Sequence, residues 1–230
     1  MKPGISIAID GPAGSGKSTI AKIVAVKFSY LYIDTGAMYR AIALKALKSR
    51  INIADETKLV GLAEDIDIRL HSEIGKHSPL LVFMDGEDVS EAIRSLEVTN
   101  LVSMVAAVAG VRTALVKLQQ KMAQSGGVVM DGRDIGTVVL PHAELKVFLT
   151  ASVDERSKRR WLELKGNGLE MDLQELREQI KRRDYIDSNR AINPLRQADD
   201  AVFLDTSDLS IEQVAAAIIG LAVKRGAALP

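Results

Sequence analysis

The sequence predicts an α/β fold in which a five-stranded parallel sheet is covered by helices on both faces. Helical stretches separate most of the predicted strands, and strand–helix alternation favours parallel pairing. The balance of 30 basic and 30 acidic side chains gives no net charge to attract nucleic acid. Five short apolar segments are typical of strands buried on both sides: 5–9, 30–33, 127–130, 145–149 and 201–205.

The first strand leads into residues 11–18, which match the phosphate-binding pattern G-x-x-x-x-G-K-[ST]. Apolar residues after this loop recur at helical spacing, so we expect a helix from about Lys17. In this P-loop context, backbone N–H groups and the helix N-terminus bind phosphate, Lys17 reaches the β- and γ-phosphates, and Ser18 holds Mg²⁺. We expect Lys17 to face a solvent-filled cleft without nucleotide. The predicted ATP-binding residues are Gly11, Pro12, Ala13, Gly14, Ser15, Gly16, Lys17, Ser18 and Thr19.

The middle of the chain changes character between residues 62 and 100. Residues 66–70 alternate strictly, residues 80–84 are apolar, and a turn-like segment separates them. This pattern predicts an antiparallel hairpin. We therefore expect a small inserted α+β subdomain at 62–100, within a P-loop NTPase-type core formed by residues 1–61 and 101–230.

Two groups of polar residues follow predicted strands, where open α/β sheets bind ligands. Thr35 and Arg40 begin the helix after the second strand, and residues 131–134 follow the third strand. Other interpretations are open for both groups. Thr35 is equally suited to be a plain N-cap with Arg40 solvated, and residues 131–134 are also typical of an exposed loop of mixed charge.

Two later helices are each predicted to carry arginines on one face. The first has them at i, i+3 and i+4, which is also typical of a solvated basic face: Arg156, Arg159 and Arg160. The second places an aspartate between two arginines at i, i+4 and i+7, which is equally compatible with an intrahelical ladder of ion pairs: Arg183, Asp187 and Arg190. Arginines in such positions suit bidentate binding of phosphate.

The residue types favour phosphoryl transfer over other chemistry. The absence of cysteine excludes disulfides, thiolate metal sites and cysteine nucleophiles. The three histidines show no metal-ligand spacing, and no Ser/His/Asp order suggests acyl transfer. Phosphoryl transfer needs positioning and charge neutralisation, which a P-loop lysine and several arginines supply.

From about Ile5 to Val223 the chain resembles the bacterial-type cytidylate kinases, a family of P-loop nucleoside monophosphate kinases. The P-loop alone says only that phosphate is bound. More specific are residues 34–40, with the pattern D-[ST]-G-A-x-Y-R, and residues 131–139, with the pattern D-G-R-D-x-G-T-V-V. Residues 86–94 and 183–195 add to the resemblance, while Asp85 stands where it leads us to expect Asn.

The resemblance implies that ATP phosphorylates CMP and dCMP to the diphosphates with Mg²⁺, in pyrimidine nucleotide metabolism. It implies a helical lid at about 154–172 that closes over ATP, and Lys17, Arg133, Arg159 and Arg160 as the catalytic residues. By their chemistry, Arg40, Arg112 and Arg133 suit the acceptor phosphate, Asp134, Ser103 and Arg183 the cytosine edge, and Asp187 with Arg190 the sugar. The implied acceptor set is Thr35, Arg40, Ser103, Arg112, Arg133, Asp134, Arg183, Asp187 and Arg190.

We further expect a cytoplasmic monomer that binds neither nucleic acid nor membranes, since no signal peptide or membrane-spanning run is apparent. Two alternatives stay open. The same chemistry suits another small acceptor, such as UMP, AMP, shikimate or dephospho-coenzyme A. A nucleotide-dependent switch is a different class, and the chain lacks the N-K-x-D-like segment that reads guanine.

Overall fold

The computed structural model describes residues 4–76, 78–166, 168 and 170–230. A five-stranded parallel sheet has the order β2-β6-β1-β7-β8, and a three-stranded antiparallel sheet has the order β3-β4-β5. The predicted parallel α/β sheet is therefore confirmed. The strands are β1 (Ser6–Asp10), β2 (Leu31–Asp34), β3 (Ile68–His71), β4 (Leu81–Met84), β5 (Glu87–Asp88), β6 (Val128–Gly132), β7 (Leu145–Thr150) and β8 (Val202–Asp205).

Two groups of helices flank the large sheet. Helix α1 packs against α8, while α3 packs against α2 and α5. A short 3₁₀ helix at Ala92–Arg94 and a π-helix at Ile135–Val139 complete the fold. The α-helices are α1 (Lys17–Phe28), α2 (Thr35–Lys48), α3 (Glu56–Asp65), α4 (Leu96–Val105), α5 (Ala109–Ala123), α6 (Val153–Gly166), α7 (Leu173–Asn189) and α8 (Ile211–Lys224).

The central strand β1 lies between β6 and β7, and its register sets the edge at which ligands bind. Ile9 pairs with Asp131, and Asp10 pairs with Gly132. Strand β6 thus extends two residues beyond the predicted 127–130, because pairing with β1 continues to the end of that strand. Asp131 is therefore part of the sheet, and its neighbour Gly132 pairs with the residue that directly precedes the P-loop.

The predicted hairpin is confirmed, with Ile68 opposite Met84, and β5 adds a third strand that the sequence did not indicate. A two-residue turn at Asp85 and Gly86 has φ values of 52° and 84°, as a tight hairpin turn requires. The Asp85 carboxylate accepts from Lys45 Nζ at 2.6 Å and from the Asp67 N–H at 3.0 Å. Asp85 therefore connects this sheet to α2. The carboxylate that stands in place of the expected Asn thus forms an ion pair with Lys45.

Helix α2 begins one residue earlier than a Thr35 cap would require. The Asp34 side chain is the cap and accepts from the Ala37 N–H at 2.9 Å. The interpretation of Thr35 as a plain N-cap is therefore wrong. Its hydroxyl instead donates to the Asp131 carbonyl at 2.7 Å, which fixes the start of α2 on the end of β6.

No single helix in the described part of the chain is long and apolar enough to cross a membrane. Helices α4 and α5 meet that criterion only when they are taken together, and they are bent by 99° relative to each other.

Candidate functional site

A cleft of about 1030 Å³ opens at the carboxyl ends of β1, β2, β6 and β8. This is the edge at which open α/β sheets bind ligands. The P-loop forms its floor, and α4 and the helix pair α6–α7 contribute its walls. Several predicted site residues line it: residues 13–19, Arg40, Ser103, Arg133, Arg159, Arg160 and Arg183.

The glycines of the P-loop are required by close backbone contacts. Gly11 has a φ of +150°, and a Cβ there would lie 1.9 Å from the Leu149 carbonyl oxygen. Gly14 has a φ of +75°, and a Cβ there would lie 3.1 Å from the Arg156 carbonyl oxygen. Glycine therefore lets the loop pass tightly between β7 and the start of α6.

Lys17 is the first residue of α1, as predicted, but it does not project into solvent. Its side chain is buried, and Nζ donates to the Pro12 carbonyl at 2.7 Å and to Ser15 Oγ at 3.2 Å. Burial, and then the proximity of Arg133, lowers the pKa of Lys17 well below its ordinary value. Lys17 therefore lines the cleft, as expected, but little of its side chain contacts solvent, because the loop folds back over its own ammonium group.

Ser18 belongs to a partly buried hydrogen-bond network centred on Asp131. Its Oγ donates to the Asp131 carboxylate at 2.9 Å, and the Tyr32 hydroxyl donates to the other carboxylate oxygen at 2.8 Å. Burial, and then the charge of Asp34, raises the pKa of Asp131 to about 6. Tyr32 was not predicted as a site residue, and Asp131 was predicted only as part of the charged segment 131–134, with no role in the site assigned to it. The signal for Asp131 was its position at the carboxyl end of a strand adjacent to β1.

Asp10 is a second buried carboxylate that the sequence reasoning missed. It accepts from the backbone N–H groups of Ile135 and Gly136, both at 2.7 Å. These are the first residues of the π-helix that follows Arg133 and Asp134. Burial raises the pKa of Asp10 to about 6. Because Asp10 directly precedes the P-loop, it fixes this helix on the phosphate-binding loop.

Two partly buried arginines of the cleft lack a carboxylate partner among the described residues. Arg40 Nη1 donates to Thr99 Oγ1 at 2.8 Å and to the Ile93 carbonyl at 3.2 Å. Burial is the main cause that lowers the pKa of Arg40 to about 10. Arg183 has a buried Nε without a described partner, and burial followed by Arg133 lowers its pKa to about 9. We call Lys17, Arg40 and Arg183 the cleft cations.

A different arrangement surrounds Asp134, which does not line the cleft. One of its carboxylate oxygens accepts from Arg112 Nη2, and the other accepts from Arg190 Nη2 at 3.3 Å. Arg112 is 1% exposed and also lies over the ring of Tyr39, 5.3 Å from its centroid. We call Arg112, Asp134 and Arg190 the buried ion cluster. Each of its two arginines thus has a carboxylate partner within the protein.

Asp187, on α7, forms an ion pair with an arginine that follows β6. It accepts from Arg133 Nε at 2.8 Å, so α7 is joined to the end of β6. Burial opposes ionisation of Asp187, but Arg133 and Arg183 hold its pKa below the ordinary value. Because Asp187 and Arg190 pair with other parts of the chain, the interpretation of α7 as an intrahelical ion-pair ladder is wrong.

The arginines of α6 divide into one buried residue and two at the cleft. Arg156 is 4% exposed and donates to the Ala13 carbonyl at 3.0 Å and to Asp184 at 2.7 Å. The interpretation of this helix face as a solvated basic face is therefore wrong for Arg156. Arg159 donates to the carbonyl of Thr206 at 2.6 Å, and Arg160 pairs with Glu163 at 2.7 Å. Residues 167 and 169 of the predicted lid lie outside the described residues.

No group of three His, Cys, Asp or Glu side chains in the described residues is arranged to hold a metal by itself. His77 lies outside those residues. The oxygen atoms of Ser18 and Asp131 suit Mg²⁺, which usually takes few protein ligands and completes its shell with water and substrate phosphates.

Comparisons with known proteins identify the family of this chain. The model of the family described as cytidylate kinase matches residues 7–224. Cytidylate kinases from Bacillus thuringiensis (strain Al Hakam) and Bacillus anthracis (strain CDC 684 / NRRL 3495) are each 52% identical over 221 residues, covering 96% of this chain and 97% of theirs. A crystal structure of an uncharacterized protein from Eubacterium ventriosum is similar in fold, with a TM-score of 0.53, 13% identity, and coverage of 96% of this chain and 98% of that one. The chain therefore belongs to the cytidylate kinase family.

Proposed function

We propose that this protein transfers the γ-phosphoryl group of ATP to CMP and dCMP, producing CDP and dCDP with the help of Mg²⁺. The observation that carries the proposal is the convergence of the cleft cations, Lys17, Arg40 and Arg183, on one cavity. No ion pair within the described residues neutralises any of the three. Buried and partly buried cations without a carboxylate partner are unfavourable in the free protein and favour a polyanionic ligand.

The donor side is the P-loop. Residues 11–19 surround the ATP phosphates with backbone N–H groups at the N-terminus of α1. Lys17 is held only by neutral oxygens, so its charge is available to the β- and γ-phosphates. Mg²⁺ would be held by Ser18 and the nucleotide phosphates, with Asp131 behind Ser18, and would neutralise phosphate charge when bound.

The acceptor side lies toward α2, α4 and α7. Arg40 and Arg133 suit the phosphate of the monophosphate, and Ser103, which also lines the cleft, is our assignment for the base. The buried ion cluster lies beneath this region, with Asp187 beside it. A carboxylate such as Asp134 can accept from the exocyclic amine of cytosine, which would distinguish CMP from UMP. We assign the remaining acceptor contacts to Thr35, Arg112, Arg183, Asp187 and Arg190.

The lid is the third part of the proposed site. Arg159 and Arg160 line the cleft on α6 and are our assignment for charge stabilisation in the transition state. The buried contact of Arg156 with Ala13 and Asp184 joins the base of the lid to the P-loop and α7. We propose that residues 154–172 close over ATP while the 62–100 subdomain binds the monophosphate. Closure excludes water, which would otherwise accept the phosphoryl group.

The test is a coupled assay of ADP release with ATP, Mg²⁺ and one acceptor at a time. CMP, dCMP, UMP, AMP, GMP and dTMP are compared at equal concentrations. Strong turnover with CMP and dCMP, and little with the purine nucleotides, is the expected result. A folded protein that binds ATP but phosphorylates none of the six would refute the proposal.

A further inference from the structure

Arg40 differs from the other cleft arginines in how it is held. Its guanidinium uses Nη1 for both described contacts, one to the Ile93 carbonyl and one to Thr99 Oγ1. Both acceptors are neutral, so the position of Arg40 is fixed without neutralising its charge. Within the described residues Nε and Nη2 have no protein partner. They form the edge of the guanidinium that suits two oxygens of a phosphate.

The Thr99 hydroxyl acts as an acceptor, and not as a donor, in its hydrogen bond with Arg40. Its own hydrogen is donated to the Ser95 carbonyl at 2.8 Å, one turn earlier in α4. Ser95 caps this helix by accepting from the Val98 N–H at 3.3 Å. The lone pairs of Thr99 Oγ1 therefore face the arginine, and a hydroxyl whose hydrogen is already donated is a better acceptor.

We propose that Thr99 is a positioning residue that orients Arg40 to receive the phosphate of the acceptor nucleotide. The inference rests on the proposed function, because it takes Arg40 to contact that phosphate. Without the Thr99 hydroxyl, the long side chain of Arg40 keeps only the Ile93 carbonyl at 3.2 Å and regains rotamer freedom. Binding of the monophosphate then has to order the arginine again, which weakens binding without changing the chemical step.

The test compares Thr99→Val with Thr99→Ser. Valine keeps the β-branched shape and removes the hydroxyl, while serine keeps the hydroxyl. We expect Thr99→Val to raise the KM for CMP about fivefold, the factor that corresponds to about 1 kcal/mol for one hydrogen bond. The kcat and the KM for ATP should stay within about twofold, and Thr99→Ser should restore the KM for CMP.

Thr113→Val is the matched control. Thr113 is exposed on α5 and donates to the Ala109 carbonyl at 3.1 Å, the same one-turn contact that Thr99 makes with Ser95. It has no arginine partner in the described residues. An equal rise in KM for Thr113→Val would mean that loss of the helical contact, and not of the arginine contact, causes the effect, and would overturn the inference.

Arg40→Ala separates failure of this inference from failure of the proposed site. If Arg40→Ala raises the KM for CMP and Thr99→Val does not, the inference is wrong and the acceptor assignment stands. If Arg40→Ala leaves the KM for CMP unchanged, the assignment of Arg40 itself is wrong. In the Arg40→Ala background, Thr99→Val should have no further effect, and an additional rise would show that Thr99 does not act through Arg40.

Binding of cytidine gives a second readout. Cytidine lacks the phosphate that Arg40 is proposed to contact, so Thr99→Val should weaken CMP binding about fivefold and leave cytidine binding unchanged. A loss of affinity for both ligands would indicate general distortion of the site and would contradict the positioning role.

Discussion

The cleft cations and the buried ion cluster differ in whether each cation has a carboxylate partner. Arg112 and Arg190 share the carboxylate of Asp134, so each of these arginines has a carboxylate partner before any ligand binds, while the three groups together keep a net charge of about +1. Arg40 and Arg183 have no such partner in the described residues, and burial lowers the pKa of both. The comparison teaches that a paired buried arginine supports the fold, whereas an unpaired one is held at a cost until an anion arrives.

The largest expected effect is on the buried ion cluster. Asp134→Ala leaves two buried guanidinium groups without a counter-charge, and we expect the free energy of unfolding to fall by about 3–5 kcal/mol. Urea denaturation measures this. Asp154→Ala is the control, because that carboxylate pairs with Arg177 at the exposed surface and its loss should change stability far less. Equal effects of the two variants would contradict the comparison.

For Lys17→Ala we expect the opposite division between stability and activity. The kcat should fall on the order of 10²-fold or more, because a charge directed at the transferring phosphates is lost. The free energy of unfolding should stay the same or rise, because a buried cation with only neutral partners is removed. Steady-state kinetics and urea denaturation of the same sample measure both. A near-normal rate would show that the P-loop has been misassigned.

Arg183→Met extends the comparison to α7. We expect the kcat/KM for CMP to fall about 10- to 100-fold, as for the loss of a hydrogen bond to a charged group. Stability should not fall, because Arg183 has no described ion pair to break. Lys181→Met is the control on the same helix, since Lys181 is exposed and pairs with Glu178 away from the cleft. Loss of stability without loss of activity would show that Arg183 stabilises the fold, as the arginines of the buried ion cluster do, and does not bind the ligand.

The smallest effect concerns the pH dependence of Asp131. Its pKa is about 6 in the folded protein, against 3.8 ordinarily, so stability that this carboxyl provides at low pH is lost as the pH rises through about 6. Asparagine does not titrate there. The stability of Asp131→Asn relative to the parent should therefore rise by about 2 kcal/mol between pH 4 and pH 7. Urea denaturation at both pH values measures this, and a pH-independent difference would contradict the raised pKa.

The sequence predicted the fold better than the contacts of the site. The five strands, the P-loop helix and the inserted hairpin follow from apolar periodicity and turn residues, which act locally. The two-residue strand β5 has no apolar pattern, because both of its residues are exposed. The end of β6 was placed too early because Asp131 is charged, and only its pairing with β1 shows that it belongs to the strand.

For the candidate site, the sequence could group arginines on helix faces but could not give their partners. Arg156 and Arg159 are three residues apart on α6, yet one is buried against the P-loop and the other lies at the cleft. Ion pairs such as Arg133 with Asp187 join residues more than fifty positions apart. Whether an arginine is paired or left for a ligand depends on such distant contacts.

The sequence by itself determined the parallel sheet, the phosphate-binding loop and the family, because each is written in short patterns of residue type and spacing. The tertiary structure decided which charges are neutralised. Asp134 lies between two arginines, and Asp10 accepts from the first residue of the π-helix that follows Asp134. Thr99 accepts from Arg40 without neutralising its charge. The physical reason is that the cost of a buried charge depends on every group packed around it, and those groups come from the whole length of the chain.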